Sequence, residues 1–139
     1  MHLIHEFTTS QVEQLHQLYQ GEWWSRGRTL EETRQCVNSS SLCFGLVDDS
    51  GDLQAFARTL TDYIFKALIF DVIVAPGCRS TGRGDMLIQS IREHPALQQV
   101  KHFELYCLDD KVPFYQRLGF STDVGGMQLM RLIGNLCTT

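Results

Sequence analysis

The stretch Val74-Ala75-Pro76-Gly77-Cys78-Arg79-Ser80-Thr81-Gly82-Arg83-Gly84 is chemically the most distinctive in this sequence. An apolar run enters a glycine-rich turn, and a helical pattern starts there. The first N–H groups of a helix lack partners inside it, and the peptide dipoles add about half a positive charge at that end. A phosphate is the natural guest. Glycine at 82 and 84 lets the backbone come close, where a side chain would hold the phosphate away. Three phosphate patterns compete. A Walker loop needs Gly-x-x-x-x-Gly-Lys-Ser/Thr. Gly77 and Gly82 have the spacing, but Arg83-Gly84 replaces the Lys-Ser/Thr pair and its magnesium ligand, which excludes nucleotide hydrolysis. A dinucleotide fingerprint needs a third glycine where Leu87 stands, which excludes nicotinamide hydride transfer. The pattern Arg/Gln-x-x-Gly-x-Gly/Ala is met in full by Arg79, Gly82 and Gly84.

Asp71 is the second candidate. It interrupts the apolar run Ala67–Val74. A buried, unpaired carboxylate is costly, so Asp71 is paired, protonated or facing a cavity. Pairing points to Arg58 on the neighbouring strand. A raised pKa would instead suit a general base acting on an ammonium substrate. Trp23 and Trp24 are adjacent, so one is expected in the core and the other, Trp24, at a substrate rim offering a cation–π surface. Arg28 and Arg58 are candidates for holding an acidic group on a substrate, and equally for structural salt bridges.

A second signature stands some thirty residues after the turn: Phe114-Tyr115-Gln116-Arg117-Leu118-Gly119-Phe120. Together, Arg-x-x-Gly-x-Gly and this aromatic-Tyr-x-x-Leu-Gly-Phe segment resemble the GNAT superfamily of acetyl-CoA-dependent N-acyltransferases, and the resemblance covers nearly the whole chain. Trp23-Trp24 with Arg28, Phe44-Gly45, Phe56-Ala57-Arg58 and Thr61-Asp62-Tyr63 are further similar to a small subgroup whose acceptors are mostly undefined.

The resemblance implies acetyl-CoA in a V-shaped gap between the Ala67–Val74 strand and the Lys101–Cys107 strand. The backbone of Val72, Ile73 and Val74 would bond the pantetheine arm. Backbone N–H groups across Arg79, Ser80, Thr81, Gly82, Arg83 and Gly84 would hold the pyrophosphate. An amine would attack the thioester directly, with a strand N–H near Val72 stabilising the oxyanion, Asp71 or a water relay as base, and Tyr115 protonating the departing thiolate. Coenzyme A would leave as product, and no metal is implied. Trp24, Arg28, Arg58 and Tyr63 would contact the acceptor, a small-molecule or peptide amine. Three positions depart from the family pattern: Ser80 for a common glycine, Arg83 for an aliphatic residue, and Asp85 in the first helical turn. A different class of reading is a non-catalytic acyl-CoA-binding sensor with the same fold.

These groups need a scaffold to position them. At 139 residues the chain fits one domain, 1–139. It is 43% hydrophobic with net charge −4, and shows no basic stripe for nucleic acid and no run long enough for a membrane span. The five cysteines include no Cys-x-x-Cys, and the plain expectation is free thiols in a cytoplasmic protein. Strands are expected at 2–7, 42–47, 53–60, 67–74, 101–107 and 127–133. Helices are expected from Ser10, from Thr29 to about Asn38, over 82–94 and over 110–118. The run at 67–74 reads as a sheet centre covered on both faces. The order predicts a mixed α/β domain with a mostly antiparallel sheet, and the C-terminal strands could pair across a homodimer.

Overall fold

A computed structural model describes residues 1–79 and 81–135. The elements are β1 (His2–Ile4), α1 (Thr9–Gln20), α2 (Leu30–Ser39), β2 (Leu42–Val47), β3 (Leu53–Thr61), β4 (Lys66–Val74), α3 (Arg83–Glu93), β5 (His102–Glu104) and α4 (Val112–Arg117). The sheet runs β1-β2-β3-β4-β5; neighbours are antiparallel except β4 and β5, which are parallel. This is the expected mixed architecture. The chain falls into two compact units, Met1–Tyr106 and Cys107–Thr139. Among the described residues no helix is long and apolar enough to cross a membrane.

In the first unit α1 and the sheet share a core in which Leu15, Tyr19, Phe56 and Ile73 meet. The cap of helix α1 lies two residues before the expected Ser10. Thr8 is the cap: its hydroxyl accepts from Gln11 N–H at 3.1 Å, and its own N–H donates to the Gln11 side chain at 2.9 Å. Two overlapping capping signals compete here, and tertiary bonds favour the earlier one. The Gln11 amide also donates to the Gly51 carbonyl, and Gln14 accepts from Leu53 N–H, so the β2–β3 hairpin fixes the helix register. Helix α2 starts as expected, with Thr29 and Glu32 forming a reciprocal cap.

The end of α1 differs from expectation. The buried Ser25 hydroxyl donates to the Tyr19 carbonyl at 2.8 Å, and Gly21 N–H turns back to Leu18. The helix therefore stops at Gln20, and neither tryptophan lies on its face. Trp23 is 68% exposed and Trp24 37%, so neither is the expected core residue.

Strand β4 pairs on both edges only at Ala67 and Leu68, where β5 runs beside it. From Ile69 onward β3 is its sole strand partner among the described residues. The strand is not covered on both faces: Ala67, Ile69 and Ile73 are buried, while Leu68 is 36% exposed and Phe70 and Val72 are half-buried. Strand β5 covers three residues instead of the expected seven.

In the second unit α4 follows a 3-10 turn, and Gly119 takes a left-handed conformation with φ 99° that closes it. The segment expected as a last strand, Met127–Ile133, forms no strand. Its apolar side chains are open, with Leu132 95% and Met130 89% exposed. A β pattern without a neighbouring edge to pair with does not make a strand. Cys137 lies outside the described residues.

Gly45 sits in the middle of β2, between Ile4 and Phe56. A Cβ there would come 2.9 Å from the Phe7 ring and 3.0 Å from Ile4 Cγ1. Gly45→Ala should therefore overpack this side of the sheet and cost about 1–3 kcal/mol. Urea unfolding checks this, and an unchanged midpoint would show that the Phe7 ring gives way freely.

Candidate active site

Two of the sequence-derived features lie along the open part of β4 and just beyond it. At its middle is Asp71. Residues Phe70 and Ile73 pair with Arg58 and Phe56, so Asp71 and Val72 together oppose the single residue Ala57. This is a β-bulge, and Asp71 carries the strain with φ 58°. A non-glycine residue holds such a backbone only where its surroundings over-determine it.

The surroundings here are three hydrogen bonds to one oxygen. Asp71 Oδ2 accepts from Arg58 Nε at 2.7 Å, Arg28 Nη1 at 2.8 Å and the Tyr19 hydroxyl at 2.9 Å. The Asp71 side chain is 7% exposed. Burial alone would raise its pKa, but the bonds and charges of the two arginines outweigh burial and hold the carboxyl below its ordinary value. The raised pKa expected of a base is thus not what this site produces. Burial and the neighbouring Asp71 carboxylate push the Tyr19 phenol far up, so it stays a donor. Both guanidinium groups rest on aromatic faces. Arg28 lies 4.5 Å from the Tyr19 ring centre and 5.5 Å from that of Trp24, and Arg58 lies 5.1 Å from that of Phe70.

The loop carrying Trp24 and Arg28 is pinned as well. Gln20 donates to the Arg28 carbonyl at 2.8 Å and accepts from Gly27 N–H at 3.1 Å, and the His16 ring meets the same carbonyl at 3.1 Å. Sequence reasoning supplied Asp71, Arg28, Arg58 and Trp24, and the structure gathers all four. It missed Tyr19. The available signal was its hydroxyl, since a buried tyrosine needs a partner where phenylalanine does not. Tyr63 is placed elsewhere, in the β3–β4 turn with φ 67°, where its phenol donates to the Ser41 carbonyl at 3.4 Å.

At the far end of β4 lies the glycine turn. Gly82 adopts a left-handed conformation, φ 80° and ψ 10°, and no side chain caps α3. A Cβ on Gly82 would meet nothing within 4 Å, so the space over the turn is open. The first helical bond runs from Met86 N–H to the Gly82 carbonyl, leaving the preceding amides without helical partners. Arg83 Nε is buried with no hydrogen-bond partner. An orphaned donor beside a bare helix start fits an anionic guest. The Thr81 hydroxyl donates to the Cys78 carbonyl and tightens the turn. The Arg79 side chain folds back onto the Val74 carbonyl at 3.3 Å and the Glu22 carboxylate at 3.0 Å. Glu22 is a participant for which the sequence offered no signal. Beside this bridge a cleft opens between α1 and β4, lined by Gln17, Leu18, Ile73 and Val74. Ser80 lies outside the described residues. Among those described, no group of three or more His, Cys, Asp or Glu side chains is placed to hold a metal.

A family profile described as the acetyltransferase (GNAT) family matches residues 9–120. The chain belongs to the GNAT acetyltransferase family. The match spans both compact units and includes the strand, the glycine turn and the Phe114–Phe120 segment. A crystal structure described as a GNAT-family acetyltransferase from Xanthomonas campestris pv. campestris has 30% sequence identity and a TM-score of 0.80, covering 96% of this chain and 94% of that one. The uncharacterized N-acetyltransferase ycf52 of Pyropia yezoensis is 29% identical over 120 residues, 84% of this chain and 68% of that protein. Serotonin N-acetyltransferase 2, chloroplastic, of Oryza sativa subsp. japonica is 34% identical over 80 residues, 55% of this chain and 40% of that protein.

In the second unit of this GNAT chain Tyr115 is half-buried and stacks edge-on against Phe114 and Phe120, with ring centres 4.9 and 5.7 Å away. Its carbonyl accepts from the N–H groups of Leu118 and Phe120. Burial, with a smaller contribution from Cys107, pushes its phenol up to about 12. The group is therefore protonated throughout the physiological range, and is a weaker acid than the ordinary value near 10 suggests.

The Asp71 cluster makes a clear statement about pH. Because the folded carboxyl sits below its unfolded value near 3.9, it contributes stability above that pH and loses it as pH falls toward the lowered value. Asp71→Asn should cost about 3 kcal/mol at neutral pH, where it leaves two cations facing a neutral amide. It should also flatten the acid limb of a stability–pH curve. An acid limb as steep as the parent's would show that Asp71 is not the titrating group.

Proposed function

We propose that this chain transfers an acetyl group from acetyl-CoA to a primary amine by direct attack, with no acyl-enzyme. The observation that carries the reading is the course of β4. It loses its parallel partner after Leu68, presents the Asp71–Val72 bulge, and leads into an uncapped helix start over which space is open. A backbone edge free to bond an extended arm, followed by an anion cradle, is what a pantetheine chain ending in a pyrophosphate requires. The relatives named as N-acetyltransferases support the same donor chemistry.

Bound acetyl-CoA supplies a thioester carbonyl to the amine. The edge of Val72, Ile73 and Val74 would hold the arm, and the amides of Arg79–Gly84 would hold the pyrophosphate, with the unpartnered Arg83 Nε on the same turn. The bulge leaves β4 with one residue outside the ladder, and the Val72 N–H is assigned to the charge that develops on the carbonyl oxygen. Asp71 is a poor proton acceptor, because three donors already occupy one of its oxygens and its pKa is lowered. We therefore assign deprotonation of the ammonium to water, and give Asp71 the task of positioning Arg28 and Arg58. Trp24, Arg28 and Arg58 contact the acceptor. Tyr63 is the weakest of the substrate candidates, since its phenol is already engaged by Ser41.

Tyr115 is assigned as the donor to the departing sulfur on its sequence motif. A phenol at about 12 does not hand its proton over ahead of a thiol near 8.5. Its contribution is a hydrogen bond that strengthens as charge builds on sulfur. Tyr115→Phe should lower kcat by about 100-fold with little change in KM for acetyl-CoA. Coenzyme A release with an amine panel measures this. Tight acetyl-CoA binding with no release on any amine, in the parent as in the variant, would make the chain a binding domain and sink the enzymatic reading.

A further inference from the structure

The Asp71 cluster is not charge-balanced. Two guanidinium groups, Arg28 and Arg58, share one carboxylate oxygen, which leaves one positive charge over. Among the described residues Asp71 is the one acid in salt-bridge contact with either arginine; Glu32, which also feels Arg28, is exposed and already accepts from Thr29 N–H in the α2 cap. Each guanidinium is also partly desolvated, with side-chain exposures of 27% for Arg28 and 15% for Arg58. A surplus cation at this depth is short of both water and counter-charge, an arrangement that favours an incoming anion.

The surplus is reachable from solvent. Arg28 donates to Asp71 through Nη1 alone, which leaves Nε and Nη2 without a partner among the described residues. Arg58 uses Nε on Asp71 and Nη1 weakly on Ser40 Oγ at 3.5 Å, which leaves Nη2. None of these free nitrogens is among the buried, unpartnered atoms, so each of them touches solvent. They are also held rigid before any ligand arrives, by the aromatic faces of Tyr19, Trp24 and Phe70 and by the Gln20 bonds to the Arg28 loop. Preorganised, forked donors are the standard recognition element for planar carboxylates. The surplus is a single charge, which one carboxylate neutralises, whereas a phosphate monoester carries about −1.5 to −2.

We infer that the acceptor is a small primary amine that also carries a carboxylate, and that Arg28 and Arg58 bind that carboxylate. Asp71 belongs to the same bulge as Val72, so the carboxylate docks beside the strand edge assigned to the thioester arm. A compact molecule with its amine near its carboxylate fits that spacing, with Trp24 flanking its apolar part. A cationic polyamine or a lysine in a basic peptide would meet the surplus charge as repulsion. The inference rests on the acetyltransferase reading for the amine, but the carboxylate site can be tested without turnover.

The experiment uses the full chain and matched probes: the α-amino acids, glycine, β-alanine and γ-aminobutyrate, each beside its amide and its decarboxylated amine, with O-phosphoethanolamine as the phosphate arm. Binding is read by ligand-detected NMR without acetyl-CoA, and acetylation by kcat/KM with it. At least one carboxylate amine should bind and react at least tenfold better than its amide, and Arg28→Met should bring that ratio close to one. Arg28→Lys, which keeps the charge but loses the fork, should give a value between the two, and a thermal melt confirms that each variant is folded. Amides or decarboxylated amines equal to or better than every carboxylate amine would overturn the inference, as would preference for the phosphate probe. Carboxylate-selective binding that depends on Arg28, with no acetylation of any amine, would uphold the site while overturning the acetyltransferase reading.

Discussion

One carboxylate oxygen, Asp71 Oδ2, ties together α1, the loop before α2, β3 and the bulge in β4. The bulge needs it, because an aspartate at φ 58° is held in a sparsely populated conformation by the three donors that meet its side chain. The loop needs it, because Arg28 bonds residues 21–29 to β4 through Asp71. The exposed face of β4 needs it too, because the bulge re-aims the strand where the parallel partner has gone. The interaction succeeds in a buried setting because the carboxylate is oversupplied with donors, so the desolvation that would otherwise protonate it is outweighed.

The glycine turn works by a different kind of preparation. It offers no strong side-chain ligand. It offers an uncapped helix start, an open space over Gly82 and one orphaned arginine nitrogen. The departures from the family pattern fit that picture. Arg83 adds a cation where an aliphatic residue is usual, and Asp85 contributes to the helix dipole from the first turn. Arg79 meanwhile carries the Glu22 carboxylate, an internal anion at the mouth of the region where an external one is expected.

How much of this was legible depended on whether the deciding force was local. The start of α2 after Thr29 and the limits of β2 follow from neighbours within a turn or a strand, and agree with the sequence expectation. The α1 cap was misplaced because Thr8 and Ser10 both make valid local signals, and only Gln11 and Gln14 bonding to the distant hairpin decide between them. Trp23 was misread because a buried serine hydroxyl, invisible as periodicity, stops the helix at Gln20. At the site, Asp71 stood out as a charge in an apolar run, and Arg58 could be guessed from strand pairing. That Arg28 and Tyr19 would share the same oxygen could not, since neither spacing nor alternation links them to β4. The run at 127–133 has a strand's composition but no edge to pair with among the described residues.

The same bonds set an order of events. Arg58 and Asp71 are 13 residues apart on adjacent strands, and the local β3–β4 pairing brings them together. Arg28 and Tyr19 lie 43 and 52 residues from Asp71, so their bonds require closure of loops whose entropy is recovered only when α1 and α2 are seated on the sheet. A chain that has formed its antiparallel meander but not docked these helices has a sheet without the Arg28 and Tyr19 bonds to Asp71. Occupancy of the arginine pair is therefore open only to the fully assembled first unit, and any small molecule held there is bound by the native state alone.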